Sequence, residues 1–201
     1  MALLADLAAA LGERRLRWYV FGAQAAVAYG RPRMTADVDV TVEIAQTAKL
    51  TFVDELARAG FDLRFPLGED FLEEAHLLPL VHVSTGMPID MVIAASSLHA
   101  EFLQRARRVD VGGVEVPMIS PEDLVVTKVL AGRPKDLEDV RGVLLEQPDL
   151  DLARVRELLG ELEAALGEDK LLRRLERVLR KTAATGGAPA PVGRSRRRTR
   201  E

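Results

Sequence analysis

Two aspartates one residue apart, Asp37 and Asp39, are side chains whose type and spacing suit chemistry. They belong to the alternating run Asp-Val-Asp-Val-Thr-Val over residues 37–42, which predicts a β-strand. On a strand, side chains two apart leave the same face, about 7 Å from one another along the chain. Both carboxylates can therefore converge on a hard divalent cation while Val38 and Val40 enter a core. A solvated strand face would use the same residues, so the pair alone leaves both readings open. Asp90 is a third candidate, set in an apolar run with Ile89, Met91, Val92 and Ile93. A carboxylate there is costly unless it is paired, metal-bound or turned to water on an edge strand.

A possible phosphate cradle stands upstream. Gly22 follows the short apolar run Trp18–Phe21 and precedes the alanine-rich residues 24–29, which suit a helix. A strand that enters a helix through glycine presents backbone N–H groups to phosphate oxygens and lets the phosphate come close. Basic side chains are available nearby in sequence or spacing: Arg31 and Arg33 precede the acids, and Lys128 and Lys135 stand seven apart. Either lysine could neutralise a phosphate as a point charge, and either could be simply solvated. Asp136 and Asp139 share a helical face. They could orient Lys135 or Arg33, or complement a helix N-terminus.

Composition narrows the chemistry. The 201 residues (22.1 kDa) include no cysteine, which removes thiolate catalysis, disulfides and sulfur-ligated zinc. The three histidines, His76, His82 and His99, are scattered, so a metal is expected to be held by oxygen. Hydrophobic residues at 48% and charged ones at 29% support a packed core. No apolar run reaches the roughly 18 residues of a membrane span, so no membrane partner is expected. Residues 1–10 are apolar without a basic leader and run into Glu13, Arg14 and Arg15. That reads poorly as a signal peptide and gives a cytoplasmic expectation. Residues 182–201 carry five arginines and one acid, which leaves 23 bases against 30 acids on residues 1–181, a net of −7. An acidic body with a basic end is an unusual balance for a dedicated nucleic-acid binder.

The elements that must position these residues follow from periodicity. Helical spacing covers residues 3–16, 47–59, 124–130, 135–145, 152–166 and 170–179. Strand candidates are 18–21, 37–42, 61–65, 80–84 and 89–94, with 109–111 and 114–116 flanking a Gly112-Gly113 hairpin turn. Ser120-Pro121-Glu122-Asp123 reads as an N-capped helix start. The order predicts an α+β chain: a small mixed β-sheet flanked by helices over 1–118, a helical region packed on it over 119–181, and a disordered arginine-rich tail over 182–201.

The segment FGAQAAVAYGRPRMTADVDVTV resembles the DNA-polymerase-β-like nucleotidyltransferase superfamily, in which an apolar strand, a Gly-Gly or Gly-Ser turn and about a dozen residues precede a strand bearing D-x-D. More narrowly, Gly30-x-x-Arg33-x-Thr35-x-Asp37-x-Asp39 and the later Lys135-Asp136-x-x-Asp139 are similar to AbiEii-type toxins, a branch of minimal nucleotidyltransferases. The resemblance covers about residues 15–145. It implies the nucleotidyltransferase fold and two Mg²⁺ ions held by Asp37, Asp39 and Asp90. Gly22, Ala23, Gln24, Arg33, Thr35, Lys128 and Lys135 would bind an NTP, supported by Asp136 and Asp139. No protein nucleophile is needed, because two cations stabilise both attacking and leaving oxygens at the α-phosphorus. Ala23 stands where the family has a second glycine or a serine, keeping the N–H but lacking a hydroxyl, and Gln24 is the candidate replacement. The acceptor stays open between an RNA such as the tRNA 3′ end, in a toxin with a cognate antitoxin, and a small molecule or partner protein. A catalytically silent binding domain is the third reading.

Overall fold

Short runs of β-branched and aromatic residues form the strands that carry the candidate acids, and Gly-terminated amphipathic runs form the helices around them. The computed structural model describes residues 2–45 and 48–185. In chain order the elements are α1 (Ala2–Glu13), β1 (Trp18–Phe21), α2 (Gly22–Tyr29), β2 (Val38–Val42), α3 (Lys49–Arg58), β3 (Phe61–Leu63), α4 (Glu69–Glu74), β4 (Leu77–His82), β5 (Met87–Ile93) and α5 (Ser97–Arg105). Then come β6 (Arg107–Asp110), β7 (Glu115–Met118), α6 (Pro121–Ala131), α7 (Pro134–Glu146), α8 (Leu152–Leu166) and α9 (Leu171–Thr185). This is the expected mixed α+β architecture.

Among the described residues, seven strands form one sheet in the order β3-β4-β5-β2-β1-β7-β6. β2 pairs parallel with β5 and β1 parallel with β7, while the other neighbours run antiparallel. Val38, Val40 and Val42 of β2 lie opposite Ile89, Met91 and Ile93 of β5, all buried. Leu78 and Leu80 of β4 extend that apolar layer. Residues alternating with these point to the other face of the sheet, and Asp39 and Asp90 are among them.

Boundaries moved where the sequence signal was local. The expected strand 80–84 begins at Leu77 instead and ends at His82. Pro79 sits inside it, opposite Asp90. The short α4 and α5 were not expected. β2 starts at Val38, so Asp37 precedes the strand instead of belonging to it. Gly112 and Gly113 both take positive φ, 63° and 88°, as the hairpin turn between β6 and β7 demands. Residues 182–185, expected in the tail, continue α9, and the remainder of that tail lies outside the described residues. No helix among the described residues is long and apolar enough to cross a membrane.

The start of α6 is the cap that the sequence anticipates. Ser120 is buried, and its hydroxyl accepts the Asp123 N–H at 3.1 Å, ahead of Pro121 at the first helical position. Ser120→Ala is expected to lower stability by about 1 kcal/mol in urea denaturation, the usual worth of an N-cap. Unchanged stability would show that Pro121 and the first-turn acids define this helix start without the serine.

Candidate active site

β1 delivers the chain to Gly22, whose φ of +63° is a conformation few side chains adopt. A Cβ at this position would lie 1.8 Å from Asp39 Oδ2. Glycine is therefore required by the carboxylate itself. The next residue, Ala23, donates its backbone N–H to Asp39. Phe21, Asp39, Asp90 and Pro79 occupy successive register positions on β1, β2, β5 and β4, so they form one row across the sheet. Asp37 lies just before β2 and opens onto the same cleft, a space of about 450 Å³. The structure thus brings Asp37, Asp39 and Asp90 to one place, beside the Gly22-Ala23 turn and Thr35.

The facing wall is ionic. Arg33 grips Asp139 with two hydrogen bonds of 2.9 Å. Lys128 Nζ reaches Asp136 at 3.1 Å and Asp139 at 2.8 Å, and Arg133 Nε reaches Asp136 at 2.5 Å. Gly132, left-handed at φ 64°, ends α6 and separates Lys128 from Lys135 on α7. Both lysines nevertheless line the cleft. They differ in state: Lys128 is buried and doubly ion-paired, whereas Lys135 is exposed.

Gln24 goes elsewhere. Its amide donates to Thr35 Oγ1 at 2.7 Å, tying the Arg33–Thr35 loop to α2, and it is not part of the cleft lining. Two site residues escaped the sequence reading. Arg133 faces the cleft with its side chain 62% exposed, and its signal was its i,i+3 spacing to Asp136. Arg64, just beyond β3, pairs with Asp90; no local spacing announces it, because β4 lies between β3 and β5 in the sheet. Among the described residues, no three Asp, Glu or His side chains already stand at the spacing of a metal cage.

A family model described as nucleotidyltransferase of unknown function (DUF6036) matches residues 2–182. The chain belongs to this family. Two solved structures of the antibiotic-resistance factor ANT(2'')-Ia are similar in fold, each with a TM-score of 0.58. The solution structure is 15% identical and covers 83% of this chain and 92% of its own. The complex with adenylyl-2''-tobramycin is 18% identical, with 82% and 97% covered. An antigenic nucleotidyltransferase-like protein from Paracoccidioides brasiliensis is 16% identical, with 87% and 91% covered and a TM-score of 0.52. A search of the curated proteins found no match.

Electrostatically, this nucleotidyltransferase divides into two halves. Burial pushes the Asp39 carboxyl above its ordinary value, and the Asp37 and Asp90 charges push it further; the Ala23 N–H and Lys128 oppose them. Asp136 and Asp139 are held below theirs: burial would raise both, but hydrogen bonds from Arg133 and Lys128 to Asp136, and from Arg33 and Lys128 to Asp139, outweigh it. The raised Asp39 contributes stability that is present below the ordinary 3.8 and is lost as pH rises through its folded value. The lowered pair does the opposite, stabilising above 3.8 and failing as pH falls through their folded values.

Asp39→Asn is therefore expected to raise the melting temperature at pH 7, with the gain vanishing as the pH drops below 3.8. A gain that persists in acid would show that the carboxylate charge is not its cause. Lys128→Met should cost about 3 kcal/mol at pH 7 by leaving two nearly buried acids short of a partner. That loss should shrink as both acids protonate, measurable by urea titration at several pH values.

Proposed function

We propose that this cleft carries out Mg²⁺-dependent transfer of a nucleoside monophosphate from an NTP to an acceptor hydroxyl. The observation that carries the reading is the register of β2 and β5, with Asp39 opposite Asp90 and both beside Asp37 and the Gly22-Ala23 turn. The donor set fits a hard cation: three carboxylates share one cleft, and the charges of Asp37 and Asp90 already disfavour ionised Asp39. Lys128 cannot balance them alone, since it is shared by Asp136 and Asp139. Asp37, Asp39 and Asp90 would hold the Mg²⁺ ions, which when bound stabilise charge on the attacking and leaving oxygens.

The remaining roles belong to the chain. The backbone N–H groups after Gly22, with Thr35, would receive phosphate oxygens. Arg33, Arg133 and Lys135 supply positive charge for the triphosphate. Asp139 fixes the Arg33 guanidinium, and Asp136 with Asp139 immobilises Lys128, so the cationic wall is ordered before the nucleotide arrives. Gln24 acts at one remove, through Thr35. The three metal-facing acids, Asp37, Asp39 and Asp90, thus come from residues 1–118, and all but one of these cations from 119–181. An NTP donor makes the cytoplasm the natural compartment.

The acidic body favours a small-molecule hydroxyl as acceptor. A second reading rests on the Arg33-x-Thr35-x-Asp37-x-Asp39 run and the arginines at 194–200: an AbiEii-type toxin that acts on the 3′ end of tRNA and is controlled by a cognate antitoxin. Incubation with each labelled NTP, Mg²⁺ and either total RNA or a small-molecule extract separates the two by which fraction takes the label. Asp37→Ala and Asp39→Ala should each reduce transfer by about 10³-fold, the rate equivalent of several kcal/mol of charge stabilisation. Wild-type label incorporation by the double variant, or none by the wild type, overturns the proposal, the latter in favour of a silent binding domain.

A further inference from the structure

Beyond Asp90 the sheet face continues into a second, chemically different space. Asp90 lies opposite Pro79 of β4, and Pro79 in turn accepts the Arg64 N–H at 2.9 Å. Neighbouring strands stand about 4.8 Å apart, so Pro79 begins a groove roughly one strand spacing from the Asp90 position. This groove, about 320 Å³, is lined by Arg64, Phe65, Phe71, Leu77 and Pro79 among others, and little of its lining is polar. Leu77, two residues from Pro79, shares that face. Phe65, Phe71 and Leu77 are 52%, 59% and 44% exposed, three of the seven large hydrophobic side chains left exposed among the described residues. Their concentration beside a cleft marks a binding surface.

We propose that this groove is the acceptor subsite, and that it takes a small molecule with an apolar ring, a hydroxyl at one end and a cationic group at the other. The proposal rests on the nucleotidyl-transfer reading above. Arg64 joins the two spaces, because it lines the groove while its guanidinium pairs with Asp90. A ring against Pro79 and Leu77, between Phe65 and Phe71, directs its hydroxyl toward the carboxylate row. The hydroxyl oxygen forms a bond to the α-phosphorus and its proton passes to solvent water. The bond from that phosphorus to the bridging oxygen breaks, and pyrophosphate leaves with the electron pair. Charge favours the cationic end away from Arg64: α4, which supplies Phe71 to the lining, also carries Glu69, Asp70, Glu73 and Glu74, a negative field beside the groove that disfavours a polyanion such as RNA.

Tyramine, which has an aromatic ring, one hydroxyl and one ammonium, is a suitable probe. Titrated into the full chain with isotope-labelled amides, it should shift resonances within residues 64–79 and bind equally well when Mg·ATP is present. Phe71→Ser and Leu77→Ser, both at exposed positions, should weaken tyramine at least tenfold while leaving the melting temperature and the Mg·ATP affinity unchanged. Mg·ATP binding without tyramine shifts in the groove, or tyramine affinity unaltered in both variants, overturns the groove as acceptor subsite. So does an RNA oligonucleotide ending in CCA that shifts the same resonances. Failure of the wild type to bind Mg·ATP overturns the transfer reading itself and the acceptor role with it.

Discussion

The parallel register of β2 against β5 is the constraint on which the rest of the molecule depends. It places Val38, Val40 and Val42 against Ile89, Met91 and Ile93, and by the same period of two it sets Asp39 against Asp90. A slip of one residue would put carboxylates into the apolar layer and valines into the cleft, so burial of the core fixes the juxtaposition of like charges. The apolar contacts are numerous and the repulsion is a single row. Folding can therefore carry an electrostatically unfavourable feature at the place where an external cation would relieve it. Gly22 is a consequence of the same row, since only a residue without a side chain fits beside Asp39.

The opposing wall solves a different problem, that of presenting positive charge without losing order. Long cationic side chains sacrifice rotamer freedom when they bind phosphate. Here Asp136 and Asp139 hold Lys128, Arg33 and Arg133 in a continuous ionic chain before any ligand is present. The loop that supplies Arg33 is itself anchored by Gln24 at Thr35 and by the close approach of α2 to α7 at Gly30. A Cβ on Gly30 would lie 2.8 Å from the Ala26 carbonyl oxygen and 3.0 Å from the Val143 nitrogen. Position of the wall relative to the acids is thus a packing outcome, set by small residues where helices touch.

Sequence alone exposed what local spacing encodes. The D-x-D alternation, the glycine that ends β1, the Ser120 cap and the Gly112-Gly113 turn are each complete within a few residues. Asp90 could be singled out because a charge interrupts an apolar run. What the sequence did not disclose was partnership across distance. Arg64 meets Asp90 only because β3 and β4 stack beside β5, and that adjacency is a property of the sheet order. Lys128 reads as an available phosphate ligand until α7 turns back at Gly132 and delivers two acids to it. Gln24 reads as a cleft residue by its position next to Ala23, yet on a helix the following residue is rotated about 100° away, toward Thr35. The start of β4 was missed for a related reason: Pro79 argues against a strand locally, and the pairing with β5 overrides it.

A transferase must hold two substrates on opposite sides of one reacting atom, and the row from Phe21 to Pro79 supplies an axis for that. On the side of α6 and α7 the surroundings are cationic and ordered by ion pairs, suited to a polyanion. On the side of α4 the lining is largely apolar, with the acids of α4 nearby. Asp90 stands between, drawn toward the second side by Arg64. The two environments thus differ in both charge and polarity. That contrast is built from the sheet outward: each strand added beyond β5 moves the surface one spacing further from Asp39 and changes its chemistry.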